Sequence, residues 1–128
     1  MDKDNAIKYW LESAGHDQET AESLFVSKQY SWCLFIWQLV LEKHLKAIIV
    51  TKLDKSAPTS HDLVYLANFA GLSLSKTQEK NLSEITSFNI KARYEDYKHA
   101  FYKKATLSYS IKWIKIIKDI LIWLQKQN

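Results

Sequence analysis

The stretch Ser31–Leu53, SWCLFIWQLVLEKHLKAIIVTKL, decides the fold. Trp32, Phe35, Ile36, Leu39 and Val40 recur at three- and four-residue spacings, which is the apolar stripe of a helix. Trp37, Leu41, Leu45 and Ile48 widen that stripe beyond what one neighbour can cover. Such a helix is either central in a bundle or shared with a second subunit. Its most apolar part, YSWCLFIWQLVLE, is too short to span a bilayer, so it reads as a core helix. Cys33 lies inside this run and reads as a small buried hydrophobe. Glu42 and Lys46 stand four apart in the favourable order, the spacing of a small solubilising surface pair.

Working outward, a first helix is expected from about Asp4 to Ser27. Ile7, Leu11, Ala14, Ala21, Leu24 and Phe25 share one of its faces, and Gly15 weakens its middle. Lys55–Ser60 is a loop around the only proline. Ser60 is placed to cap a short third helix bearing Leu63, Leu66, Ala67 and Ala70, which Gly71 ends. Ser75-Lys-Thr-Gln78 matches a capping box and opens a fourth helix with Leu82, Ile85 and Phe88 facing inward. Asn89 to about Thr106 has no clean period and reads as an irregular connection, long enough to suggest function. A final helix over about Leu107–Gln125 carries Leu107, Ile114, Ile117, Leu121 and Leu124 as a heptad-like seam. Lys112, Lys115 and Asp119 mark its charged face, with Lys118 at the edge, and a solvated face is the default for such lysines. The expectation is an all-α, antiparallel up-and-down bundle of about five helices, four of them long, in one domain over 1–128.

The totals agree. The chain has 128 residues, 47% of them apolar, with five Trp, seven Tyr and five Phe but only two Gly and one Pro. Few tight turns are encoded, which favours helices over a many-stranded sheet. One cysteine excludes an intrachain disulfide, and no secretory pattern occurs in the polar start MDKDNAIKYW, so a cytoplasmic setting is expected. A net charge of +4 mildly favours anionic partners.

The four histidines are scattered, with no HExxH and no Cys/His pairing, so neither zinc nor another cofactor is expected. His16-Asp17 reads as a hydrogen-bonded polar pair, and His61 as a ring packed under its loop or bonded to backbone. Lys91–Phe101, KARYEDYKHAF, stands apart. Arg93 offers a planar fork of donors to phosphate and stays charged at physiological pH, and His99 can exchange protons near neutrality. Together they could cleave RNA without metal: the imidazole would move the proton of a 2′-hydroxyl or leaving oxygen, and the guanidinium would steady the phosphorane. Their spacing also fits a surface loop in which Arg93 pairs with Glu95 or Asp96.

Several segments, in order, resemble the HEPN (higher eukaryote and prokaryote nucleotide-binding) domain family. They are the first helix with Ala14, Asp17 and Ala21, and Tyr30 leading into Gln38-Leu-Val-Leu-Glu42-Lys43-His-Leu-Lys46-Ala47. They continue with His61-Asp-Leu63 and Leu66, with Ala92-Arg93-Tyr94 before Asp96, and with the closing Ile-Leu-Ile-Trp-Leu124. The resemblance implies a helical bundle that forms a homodimer. It implies nucleotide or RNA phosphate binding at Arg93, Tyr94, Asp96 and Lys98, and a separate nucleotidyltransferase partner in a toxin–antitoxin-like pair. Many members carry Arg, four to six residues, then His as a metal-independent endoribonuclease centre completed between subunits. Arg93 and His99 fit that spacing, although Tyr94 stands where such members place Asn or Asp. The binding module therefore ranks first, the RNase toxin second, and a noncatalytic structural dimer third.

Overall fold

The computed structural model describes residues 2–127 as six helices with no strand among them: α1 (Lys3–Val26), α2 (Tyr30–Leu53), α3 (Leu63–Phe69), α4 (Lys76–Lys91), α5 (Glu95–Lys104) and α6 (Leu107–Gln125). The expected all-α bundle is the fold, and α1, α2, α4 and α6 are its long members. Residues 27–29 join α1 to α2 in a tight helical hairpin, with Lys28 in the left-handed region at φ 63°. Asp2 caps α1 through a bond from the Asn5 N–H, and Ser75 with Gln78 forms the expected capping box on α4.

Two boundaries differ from the sequence reading. Asp62, not Ser60, caps α3, accepting from the N–H groups of Val64 and Tyr65. An aspartate directly before the first helical residue satisfies two orphan donors at once. Gly71 ends that helix as expected, at φ +78°. The stretch read as an irregular connection is largely helical: α4 continues to Lys91, and α5 occupies 95–104. Phe101 is the one buried residue of α5, so no apolar stripe advertises it. Its ring docks on Phe88 at 5.4 Å, beside Trp113, which meets Phe88 edge-on at 5.7 Å and 89°. Such an aromatic cluster buries enough area to hold a short helix that propensity alone would not.

The breadth of α2 has a single-chain explanation. α2 touches every other helix, and Leu34, Trp37, Leu41, Leu45, Ile48 and Ile49 are all but fully buried. It is the central rod, so its width is no sign of a second subunit. Cys33 is buried, with its thiol donating to the Ala21 carbonyl at 3.2 Å, and burial pushes its pKa up to about 11. On α6, Leu107, Ile111 and Ile122 are about half exposed, and Val26 at the end of α1 is 81% exposed. An open groove of about 510 Å³ separates α6 from the end of α1, with Trp37 among its lining residues.

Candidate functional site

Position 42 is buried in the middle of α2, where an unpaired carboxylate would be very costly. Glu42 is 4% exposed, and both of its oxygens are engaged. Oε2 accepts from Lys46 Nζ at 3.0 Å, and Oε1 accepts from Gln38 Nε2 at 3.2 Å and lies 2.8 Å from His61 Nδ1. The solubilising surface pair expected at Glu42 and Lys46 is thus a buried ion pair. Its ammonium is further covered by the Trp10 ring, at 5.1 Å from the centroid. His61 neither packs under its loop nor bonds backbone through its ring. Its Nδ1 faces Glu42, its side chain stays 61% exposed, and its carbonyl accepts from Gln38 Nε2 at 3.0 Å.

From Gln38 the polar line runs on to α4. Asn89, 2% exposed, donates through Nδ2 to Gln38 Oε1 at 2.8 Å. Its Oδ1 accepts from Arg93 Nη2, and its backbone carbonyl accepts from Arg93 Nε at 2.7 Å. The line Lys46–Glu42–Gln38–Asn89–Arg93, with His61 on its flank, therefore crosses the bundle and surfaces at both Arg93 and His61. Every buried link is satisfied, the condition under which such a network fixes one geometry. Gln38, Glu42, Lys46, His61 and Asn89 were not read as site residues from composition and spacing. The usable signal was a Gln and a Glu four apart in the middle of a helix that is apolar on every side.

Arg93 lies in the turn between α4 and α5. Its guanidinium carbon is 5.3 Å from the Phe35 ring centroid and 5.2 Å from that of Tyr94. It is exposed, and among the described residues it pairs with no carboxylate, so the expected alternative of a bond to Glu95 or Asp96 is not what the chain forms. Glu95 instead takes Lys98, at 2.8 Å. Tyr94 precedes α5 and is half exposed. Glu95 and Asp96 place negative charge at the positive end of α5. His99 is exposed and stands two residues before buried Phe101, about 200° around the helix and so on its outer face. One chain thus brings Arg93, Tyr94 and Phe35 together, and leaves Asp96, Lys98 and His99 on the outer surface of α5. No hydrogen bond or ion pair joins Arg93 to His99 among the described residues.

On α1, Asp17 bonds Lys43 of α2 at 2.6 Å rather than His16, and Ser13 accepts from the same ammonium at 2.7 Å. This clasp ties the α1–α2 hairpin. His16 is exposed.

A central helix carries a satisfied polar line through a helical bundle to an exposed guanidinium at Arg93. The HEPN domain family matches residues 7–127, nearly the whole chain, and the chain belongs to that family. Among solved structures it is similar to TT1696 from Thermus thermophilus, at 20% identity and a TM-score of 0.79, over 97% of this chain and 99% of that one. That likeness is one of fold. Comparison with curated proteins returns no match. No helix among the described residues is long and apolar enough to cross a membrane.

Proposed function

We propose that this HEPN domain is a dimeric module that binds the phosphate of a nucleotide or RNA through Arg93. One observation carries this reading: the Arg93 guanidinium is exposed, oriented by a neutral amide and flanked by two rings. Asn89 engages Nε and one Nη, and the other Nη donors have no partner among the described residues. Because Asn89 carries no charge, the cation keeps its full attraction for an anion, and its fork is set before the ligand arrives. Tyr94, half exposed beside it, offers a face on which a base can stack. The half-exposed Ile111 and Ile122 of α6 support a paired unit. The nucleotidyltransferase partner and the toxin–antitoxin setting rest on the Arg93-Tyr94-x-Asp96 pattern.

The test is fluorescence anisotropy with a labelled single-stranded RNA. Arg93→Ala weakens binding at least about tenfold, the worth of a hydrogen bond to a charged group. Arg93→Lys restores little, since a lysine lacks the planar fork. Wild-type affinity in Arg93→Ala would remove the arginine from the site.

A further inference from the structure

Arg93 stands at one end of α5, and a second cationic recess lies at the other. Lys28, Tyr30, Ser31, Tyr102, Lys103 and Thr106 are among the residues lining a cavity of about 260 Å³ there. No acidic side chain lines it among the described residues. Lys28 and Lys103 are both exposed, and neither pairs with a carboxylate among the described residues. Their neighbours are less free: Lys98 takes Glu95, and Lys104 takes Glu84. Lys28 also occupies the left-handed region, at φ 63°, where glycine is the ordinary choice. Glycine would ease that turn, so the cation is what a lysine adds there. α5 has ten residues, so its two ends lie about 15 Å apart at about 1.5 Å of rise each. On α2, Ser31 at the cavity and Phe35 beside Arg93 share a face one turn apart. Trp32 follows Ser31, 42% exposed and edge-on to the Phe35 ring at 6.0 Å. Cations spaced along a surface with exposed rings among them are how a single strand of nucleic acid is held without its sequence being read.

We infer that Lys28 and Lys103 form a second phosphate subsite, so that the ligand of the Arg93 edge is a single-stranded oligoribonucleotide laid along α5 rather than a mononucleotide; this rests on the Arg93 reading above. A nucleoside monophosphate carries one phosphate and can meet only one of the two sites. A chain of nucleotides places one phosphate on the Arg93 fork and another between two ammonium groups. The bases strung between them stack on the exposed rings of Trp32 and Tyr94. Lysines act as point charges, without the planar geometry of a guanidinium. The second subsite therefore adds affinity and dependence on strand length, and no sequence preference.

The experiment measures, by titration calorimetry over a range of salt, the binding of uridine 5′-monophosphate, ATP and single-stranded oligouridylates of increasing length. Wild type is expected to bind the longer strands at least about tenfold more tightly than the monophosphate, the worth of a hydrogen bond to a charged group. Lys28→Gly combined with Lys103→Ala is expected to remove that gain and to leave monophosphate affinity unchanged. It is also expected to flatten the log–log salt dependence by about 0.7, the share of one phosphate contact on a single strand. Glycine suits the backbone of position 28, so this variant is expected to fold, and a matching circular dichroism melt checks it; Lys28→Gln with Lys103→Gln repeats the comparison if it does not. Lys76→Ala with Lys80→Ala removes the same charge from the exposed start of α4 and is expected to change nothing. Four results overturn the inference: monophosphate or ATP binding as tightly as the strands, wild-type strand affinity in the Lys28→Gly, Lys103→Ala variant, loss of monophosphate binding in that variant when folded, or an equal loss of strand binding in the α4 control. If wild type binds the monophosphate through Arg93 but gains nothing with length, only this inference fails. If wild type binds none of the ligands, the Arg93 reading fails with it.

Discussion

Glu42 with Lys46 and Lys115 with Asp119 are both oppositely charged pairs four residues apart on a helix, and they meet opposite fates. The first pair has side chains 5% and 8% exposed, the second 77% and 63%. The separations are similar, 3.0 and 3.4 Å, and the reversed acid–base order is worth only about 0.2–0.5 kcal/mol on a helix surface, so geometry within the helix does little to distinguish them. What differs is the surroundings. The first pair is roofed by Trp10 and joined to Gln38 and His61, whereas the second faces water. Spacing fixes that two charges can meet; tertiary cover fixes what the meeting is worth.

The widest break in that contrast comes from Glu42→Ala. Removing the carboxylate strands a buried ammonium and leaves Gln38 and His61 without their acceptor. Urea unfolding is expected to show a loss of about 3 kcal/mol, typical of breaking a buried pair; a loss under about 1 kcal/mol would mean that water reaches the pair. Replacing both partners, Glu42→Met with Lys46→Met, removes the stranded charge and is expected to return stability to within about 1 kcal/mol of wild type. If the double variant is as unstable as the single one, the network and not the charge carries the energy. His44, two residues after Glu42, sharpens the contrast at smaller amplitude. It is half-buried, and burial alone holds its pKa below the ordinary 6.5. The unfolded chain therefore binds the extra proton. Stability from this residue is complete above about pH 6.5 and declines as the pH falls through the folded value. His44→Gln is expected to flatten that slope in a pH series of unfolding midpoints; an unchanged slope would assign it to another group. Least affected is Asp119→Ala, expected to change stability by less than about 0.5 kcal/mol, with added salt abolishing even that.

The same contrast explains what could be read in the residues beforehand. α2 and α6 announced themselves because their apolar residues recur at helical spacing over many turns. The capping box at Ser75 and the stop at Gly71 were legible because their chemistry is local. α5 was not, since a single aromatic, Phe101, holds it against the core, and one residue makes no period. The ion pair at Glu42 was misread because four-residue spacing looks the same wet or dry. Arg93 stood out by its chemistry alone, but the amide that orients it did not. Asn89 and Gln38 lie far apart in sequence, and only the packing of α4 on α2 brings them together. The spacing around His61 gave no sign of its partner, because Glu42 lies 19 residues away on α2.

Cys33 gives the molecule an internal clock. As the only thiol, sealed under α1 with its proton held to about pH 11, it is inert while the hairpin stays closed. A small uncharged thiol reagent can therefore modify it only from conformations in which α1 has lifted away. The modification rate, compared with that of an unfolded peptide, reads out the free energy of that partial opening. Repeating the measurement with RNA present would test whether the proposed binding at Arg93, which packs on Phe35 two residues from Cys33, is felt by the helix that covers the thiol.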